Sequence, residues 1–326
     1  MVETIISLKL PAGENIKIQK KRIESSKGAK GMARAVIVTG IHGDELEGQY
    51  ICYELSRILQ ENKHFLNGVV DIYPALNPLG IECVSRNIPN MEMDMNRNFP
   101  GNPDGNVMDR IADAIVCDIK GADLCLDIHA SDTFVREMPQ VRINDRFASD
   151  LLPFAKILNV DFVWLNATET VHESTLAYTM NSLGVPTLVM EMGVGNRINL
   201  QYGNQIVTGV LNLLHEMGMW RGEVEPVRKP IISTDGEVVV IRSEKSGVFI
   251  PKISNDCRVE QGQEIGSVVD VLNGEVKMKI EAPASGLVFT IREYPMVHEG
   301  ALLARILTGD GKVTDRAAIM EGYRAD

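Results

Sequence analysis

The chain has 326 residues, of which 44% are hydrophobic and 24% are charged, and its formal net charge is −11. This length allows one large domain or two. The negative charge argues against a nucleic-acid or anionic-membrane partner, because nothing would offset repulsion from phosphate groups. No stretch approaches transmembrane length, and the first residues lack the apolar core of a signal peptide. The five cysteines are scattered and never spaced as CxxC, so we expect reduced thiols in a cytoplasmic protein and no cysteine-based zinc site.

Strand-like and helix-like patterns alternate over the first two thirds of the chain. Apolar, β-branched runs predict strands at 34–39, 68–78, 122–131, 161–165 and 185–193. Apolar residues spaced three or four apart predict helices at 44–60, 107–120, 149–158, 172–184 and 204–218. This alternation predicts an α/β fold with a mostly parallel central sheet flanked by helices. In such sheets, functional sites lie at the carboxyl ends of the strands.

The pattern changes at the polar, proline-containing stretch 219–233, where we place a domain boundary between residues 222 and 223. Short alternating runs separated by Gly or Asn-Gly predict a small all-β domain over 223–326, with a loosely held tail from about residue 311. Asn273-Gly274 predicts a hairpin with a type I′ turn. The chain is therefore expected to comprise an α/β domain, 1–222, and an all-β domain, 223–326.

Two histidines and a glutamate stand at predicted strand ends. His42 and Glu45 follow the first of these strands in "GIHGDELEG", and His129 ends another in "LDIHAS". Asp127 lies two residues before His129, on the same face, and can orient the imidazole. Two His and one Glu are the ligand set of an open catalytic zinc site. Taken singly, His42 could be a loop histidine and Glu45 a helix N-terminal carboxylate, so only the set indicates a metal.

Two further clusters supply other groups that a hydrolytic reaction needs. Glu191 closes the apolar strand in "TLVMEMG", where a carboxylate can move a proton from water to a leaving amine. Asn96 and Arg97 stand in the loop "MDMNRNFPG", and an arginine fork pairs with a substrate carboxylate. Zinc polarises a carbonyl and lowers the pKa of water. The clusters together predict hydrolysis of an amide in a carboxylate-bearing substrate.

The motifs "GIHGDELEG", "NPLG", "MDMNRNFPG", "DIHAS" and "MEMG", in this order over about residues 33–220, carry a family resemblance. The chain resembles the succinylglutamate desuccinylase/aspartoacylase family, which belongs to the zinc carboxypeptidase superfamily. The resemblance implies one zinc ion per chain, bound by His42, Glu45 and His129. It also implies that Glu191 is the general base and acid.

The same resemblance implies the substrate contacts. Asn96 and Arg97 would hold the substrate carboxylate, Arg86 would stabilise the oxyanion, and Tyr178 would contact the substrate. Aspartoacylases have an arginine four residues after that tyrosine to bind a second carboxylate, whereas this chain has Ser182. We therefore expect N-acyl derivatives of neutral or basic amino acids, N-acetyl-diaminobutyrate among them, to be better substrates than N-acetylaspartate.

The C-terminal region has a second resemblance. "GQEIGSVVDV", "IEAPASGLVFTI" and "VHEGALLARI" resemble a biotinyl/lipoyl carrier domain, which implies a barrel-sandwich fold. Carrier domains present a modified lysine at the tip of the central hairpin, where this chain has Glu275, with Lys277 and Lys279 further along. We therefore expect a structural role and no covalent cofactor.

The function predicted from the sequence is zinc-dependent hydrolysis of an N-acyl amino acid or a related small amide. One alternative is a carboxypeptidase that removes the C-terminal residue of a peptide, because the same ligands and the Asn96-Arg97 pair suit both reactions. A second alternative is a non-catalytic zinc-binding scaffold protein. The expected partner is a small-molecule substrate, and a homo-oligomer is possible.

Overall fold

A large mixed β-sheet organises the protein, and helices flank it. The structure, a computed structural model, describes residues 1–26, 28, 31–89, 91, 93–166 and 173–308. The predicted C-terminal tail and the first residue of the predicted helix at 172–184 lie outside the described residues. No helix in the described part of the chain is long and apolar enough to span a membrane.

The elements alternate as predicted over much of the first 220 residues. The strands are β1 (Val2–Lys9), β2 (Asn15–Glu24), β3 (Arg34–Thr39), β4 (Val69–Tyr73), β5 (Leu124–Ile128), β6 (Val135–Asn144), β7 (Phe162–Asn166), β8 (Thr187–Gly193), β9 (Ile231–Thr234), β10 (Val238–Arg242), β11 (Gly247–Pro251), β12 (Cys257–Val259), β13 (Glu264–Asp270), β14 (Glu275–Glu281), β15 (Gly286–Arg292), β16 (Met296–Val297) and β17 (Leu302–Leu307). The α-helices are α1 (Glu47–Glu61), α2 (Pro78–Cys83), α3 (Val107–Ile119), α4 (Ala148–Ala155), α5 (Leu176–Ser182) and α6 (Leu200–Glu216).

The sheet is parallel only in part. In the described residues its strands follow the order β1-β2-β4-β3-β5-β8-β6-β15-β17-β10, with β7, β9 and β12 paired off this path. The neighbours β4, β3, β5 and β8 are parallel, whereas β1 and β2 on one side and β6, β15, β17 and β10 on the other pair antiparallel. The predicted α/β class is confirmed, but the prediction of a mostly parallel sheet is wrong, because most strand pairs are antiparallel.

The difference arises in part because β10, β15 and β17, which were predicted for a separate all-β domain, extend the large sheet, and in part from a strand without a continuous apolar run. The sequence of β6 is VREMPQVRIN, in which charged residues and a proline interrupt the apolar positions. Proline and charge weaken a strand prediction, and β6 is the strand at which the sheet changes from parallel to antiparallel. The antiparallel strands β1 and β2 were also not predicted from the sequence.

Apolar side chains bury both faces of the central strands. In β3, Ile37 belongs to the core on the side of α1, α4 and α6, while Val36 and Val38 belong to the core on the side of α3 and α5. Successive side chains of a strand point to opposite faces, so a strand covered by helices on both sides must be apolar throughout. Because helices cover both faces of the parallel strands, these strands are largely apolar runs, and they could be predicted from the sequence.

The C-terminal region is all-β, which is compatible with the predicted barrel-sandwich. A second sheet of β14, β13, β11 and β16 packs with β10, β12, β15 and β17 around one apolar core. The hairpin between β13 and β14 forms as predicted, but four residues connect the strands, so the two-residue type I′ turn is wrong. The large sheet continues across residue 222, because β9 pairs with β7 and β15 pairs with β6. A domain division at 222/223 stays a prediction.

Candidate active site

Four of the candidate residues meet at the carboxyl ends of the parallel strands. His42 and Glu45 lie in the turn between β3 and α1, and His129 directly follows β5. Glu191 lies near the end of β8, and the preceding residue, Met190, accepts a hydrogen bond of 2.8 Å from the backbone N–H of His129. Because β3, β5 and β8 are adjacent and parallel, their ends bring these side chains to one edge of the sheet.

His42, Glu45 and His129 form a compact, buried cluster. Their ligand atoms all lie within 4.8 Å of one another. Nδ1 of His42 is 2.7 Å from Oε1 of Glu45, and Nδ1 of His129 is 2.8 Å from Oε2. The backbone N–H of Ala130 also donates to Oε2 of Glu45, at 3.2 Å. The three side chains are therefore a candidate metal-binding cluster.

A second layer of carboxylates surrounds the two imidazoles. Nε2 of His42 is 3.1 Å from Oδ1 of Asp94, and Nε2 of His129 is 3.2 Å from Oδ1 of Asp127. Histidines that bind metals through one ring nitrogen usually present the other to a carboxylate, which orients the ring. In both histidines Nδ1 points into the cluster and Nε2 points to a carboxylate. This arrangement fits a divalent metal held by the three residues.

The charges of the cluster are balanced by these contacts. Burial by itself would raise the pKa of Glu45, but the two imidazoles beside it lower that pKa to about 2. Burial by itself would lower the pKa of His42, but hydrogen bonds to Asp94 and Glu45 raise it. An ionised carboxylate is therefore available in the cluster at neutral pH.

Arg86 lies at the border of the cluster. Its Nη1 is 3.2 Å from Oε1 of Glu45, and its Nη2 is 3.1 Å from Oδ2 of Asp94. The Arg86 side chain is 41% exposed and lines the same cavity as the two histidines. A guanidinium at this place can stabilise negative charge that develops near the cluster.

Glu191 lines the same cavity, and the pKa of its carboxyl group lies near neutral pH. Partial burial raises the pKa of Glu191 to about 7, although Arg142 and His129 act in the opposite direction. Nη1 of Arg142 is 3.3 Å from Oε1 of Glu191. A carboxyl group with a pKa close to the working pH can both accept and return a proton.

Asn96, Arg97 and Tyr178 also line this cavity. Oδ1 of Asn96 accepts a hydrogen bond from the N–H of Leu176 at 2.9 Å, so its Nδ2 is the group that can donate to a ligand. Nη1 of Arg97 donates to the carbonyl of Asn96 at 2.8 Å, and within the described residues Arg97 has no carboxylate partner. The hydroxyl of Tyr178 accepts a hydrogen bond of 2.7 Å from Arg146.

Ser182 lies away from this group. It is the last residue of α5, it is exposed, and it is not part of the cavity wall, whereas the preceding Asn181 is. A side chain at position 182 would therefore reach a ligand in the cavity only if α5 ended differently. The cavity itself has a volume of about 330 Å³, which is suited to a small molecule.

The cavity also contains charged residues that the sequence analysis missed. Glu137 and Arg142 come from β6, and Arg305 comes from β17 in the C-terminal region. Arg142 and Arg305 each stand between two apolar residues of a strand, and a buried charge is expensive unless it is paired. The cost of burying a charge was the only indication in the sequence that these residues have partners, and it does not identify those partners.

Comparison with known proteins assigns the family. Residues 32–217 match the family model of the succinylglutamate desuccinylase/aspartoacylase catalytic domain. The N-alpha-acetyl-L-2,4-diaminobutyric acid deacetylase of Halomonas elongata is 26% identical over 293 residues, which are 88% of this chain and 81% of that protein.

Two solved structures share the fold across nearly the whole chain. One is the product-bound ectoine utilization protein EutE (DoeB) from Ruegeria pomeroyi, with a TM-score of 0.79 and 22% identity, covering 94% of this chain and 95% of that one. The other is a succinylglutamate desuccinylase from Silicibacter sp. TM1040, with a TM-score of 0.80 and 22% identity over the same shares of the two chains. Because the family model matches more than half of its length, this chain belongs to the succinylglutamate desuccinylase/aspartoacylase family.

Proposed function

We propose that this protein is a zinc-dependent deacylase that hydrolyses the amide bond of an N-acyl amino acid. The observation that carries the proposal is the convergence of His42, Glu45 and His129 in one cavity with Glu191. Membership in a family named for deacylases, and a relative that is an N-acetyl-diaminobutyrate deacetylase, support the reaction class.

The metal would be held by His42, Glu45 and His129, with Asp94 and Asp127 fixing the two imidazoles. A set of three nitrogen and oxygen ligands suits a zinc ion. A zinc ion supplies Lewis acidity there, polarising a carbonyl and making water more acidic. The protein's own side chains provide the remaining steps.

Arg97 and Asn96 would bind the substrate. The Arg97 guanidinium can take a substrate carboxylate bidentately, and Nδ2 of Asn96 can add a hydrogen bond, since its Oδ1 already accepts from Leu176. Tyr178, whose hydroxyl is bound by Arg146, would contact the rest of the amine portion of the substrate. This anchoring would orient the acyl carbonyl toward the cluster.

Arg86 and Glu191 would act on the reacting atoms. Glu191 would take the proton from the water that attacks the acyl carbonyl and deliver it to the nitrogen of the leaving amine. Arg86 would stabilise the negative charge that forms on the carbonyl oxygen. The products are the free amino acid and the carboxylate of the acyl group.

The test compares two substrate panels with the zinc-loaded protein. We expect N-acyl amino acids, including N-alpha-acetyl-diaminobutyrate, to be hydrolysed with release of the free amine, and unblocked peptides to be left intact. Release of C-terminal residues from peptides would instead support a carboxypeptidase. Absence of turnover on both panels, with zinc bound, would support the non-catalytic alternative.

A further inference from the structure

Glu137 is a carboxylate that the proposed reaction does not use, yet it is 1% exposed and fully hydrogen-bonded. Its Oε2 accepts from the hydroxyl of Ser131 at 3.1 Å and from Nη2 of Arg142 at 2.6 Å. Its Oε1 accepts from the hydroxyl of Thr290 at 3.0 Å and from Nη1 of Arg305 at 2.6 Å. One oxygen is therefore bound by residues before position 222, and the other by residues of the C-terminal region.

Strand register brings the distant partners together. Glu137 of β6 is directly paired with Thr290 of β15, and Thr290 is directly paired with Arg305 of β17. Directly opposed residues in antiparallel strands have side chains within contact distance on one face. The guanidinium groups of Arg142 and Arg305 each lie 5.6 Å from the ring of Trp164, which adds a packing surface for both.

Arg142 links this buried carboxylate to the proposed general base. Its Nη2 contacts Glu137, while its Nη1 lies 3.3 Å from Oε1 of Glu191. The network contains two carboxylates, Glu137 and Glu191, and two guanidinium groups, Arg142 and Arg305. Because Arg305 binds the second oxygen of Glu137, Arg142 can direct one of its nitrogens to Glu191.

We propose that Arg305 is a positioning residue for Glu191, acting through Glu137 and Arg142, so that the C-terminal region completes the charge network of the active site. The inference rests on the role proposed for Glu191. Without Arg305, the buried Glu137 would retain a single guanidinium, and an under-compensated buried carboxylate is strongly unfavourable. Arg142 would then turn toward Glu137, and Glu191 would lose the group that fixes its carboxylate.

The primary test is Arg305→Met, which keeps the length of the side chain and removes its charge. We expect kcat to fall by about tenfold to 100-fold, as for a misplaced catalytic group, with KM and zinc content close to wild type. In a crystal structure of the variant, Nη1 of Arg142 should be beyond hydrogen-bond reach of Glu191, at more than about 3.5 Å. Arg305→Lys should retain most of the activity, since the positive charge remains.

The double variant Glu137→Gln/Arg305→Met separates this role from a merely structural one. With the carboxylate at 137 neutralised, Arg142 is no longer drawn away, so kcat should recover to within about threefold of wild type. Because this variant removes both charges of the Glu137–Arg305 pair, it also tests the inference if Arg305→Met alone fails to fold. A double variant as impaired as the single one would overturn the inference.

The matched control is Glu293→Gln. It breaks the contact of 2.8 Å between Arg136 and Glu293, which joins the same two regions at the surface, where the two side chains are 38% and 42% exposed. Its kcat should equal that of wild type. An Arg305→Met variant that keeps both wild-type kcat and the Arg142–Glu191 contact would refute the inference about Arg305, but not the role proposed for Glu191. Wild-type turnover in Glu191→Gln would instead refute the proposed base, and the crystallographic distance would still report on Arg305.

Discussion

Nε2 of His42 lies 3.1 Å from Oδ1 of Asp94, although 52 residues separate them along the chain. Asp94 also accepts hydrogen bonds from Nη2 of Arg86 at 3.1 Å and from the backbone N–H of Asn96 at 2.8 Å. One carboxylate thus connects a candidate metal ligand, the candidate oxyanion-stabilising arginine and the loop of the candidate substrate anchor. These contacts lower the pKa of Asp94 well below its usual value, even though burial opposes the change.

Asp94→Asn should weaken metal binding by about 10-fold to 100-fold, because the neutral amide no longer orients and polarises the His42 imidazole as a carboxylate does. Competition against a metal chelator measures the change. Asp104→Asn, in the exposed part of the same loop, should bind metal as the wild type does. Equal affinity of the two variants would show that Asp94 serves only to shape the loop.

The sequence revealed the parts of the site that follow from local patterns. His129 and Glu191 each end an apolar run, and adjacent parallel strands place such residues side by side. His42 and Glu45 lie close together because three residues separate them in one turn. These positions depend on strand patterns and short spacings, so they could be predicted without knowledge of the loops.

The rest of the site and of the fold depends on contacts between distant residues, which no local sequence pattern encodes. Asp94 reaches His42 through an irregular loop, and Arg305 reaches Glu137 across 168 residues through the register of three antiparallel strands. The strand β6 was missed because a proline and charged residues, of which Glu137 and Arg142 are paired with each other, interrupt its apolar positions. The mixed direction of the sheet was missed also because β15, β17 and β10, predicted for a separate domain, join the large sheet beside β6.

His129→Ala should abolish both metal binding and activity while the fold persists, because the residue follows a strand that is fixed by its neighbours on both sides. Elemental analysis and thermal unfolding measure the two effects. The control is His215→Ala, at the exposed end of α6, which should keep a full complement of zinc. Full zinc occupancy in His129→Ala would remove this residue from the ligand set.

Glu191→Gln should retain the metal and lose at least about 100-fold in kcat, the lower range for loss of a positioned acid–base group. The amide is nearly isosteric with the carboxylate but can neither accept nor return the proton. Steady-state kinetics and metal analysis on the same preparation test both parts. A kcat near wild type would mean that Glu191 is structural and that another base is needed.

The pH dependence of kcat/KM should change in a defined direction when Arg142 is replaced. A general base acts in its deprotonated form, so the rate falls as the pH drops below the pKa of Glu191. Arg142 lowers this pKa against the effect of burial, so Arg142→Met should move the acidic limb to higher pH. Arg136→Met, on the same strand but outside this cavity, should leave the limb in place. A limb that moves to lower pH in Arg142→Met would contradict the assignment of Glu191.

Substrate choice should follow the charges that the cavity offers. Arg97 has no carboxylate partner in the described residues, so it should require one carboxylate on the amine portion of the substrate. Ser182 is uncharged and lies outside the cavity wall, so it provides no second cationic contact. N-acyl derivatives of neutral or basic amino acids should therefore exceed N-acetylaspartate in kcat/KM by at least about tenfold, which corresponds to ~1.4 kcal/mol.

The measurement is a panel of N-acyl amino acids at fixed zinc concentration, with the carboxyl-amidated form of the best substrate as the control. The amidated form should react poorly, because it leaves the Arg97 guanidinium without a charged partner. Arg97→Lys should lower kcat/KM for the free acid, since lysine cannot make the bidentate contact. Preference for N-acetylaspartate would mean that another cationic residue, with Arg146 beside Tyr178 as the first to examine, binds a second carboxylate. Equal reaction of the amidated and free forms would remove Arg97 from substrate binding.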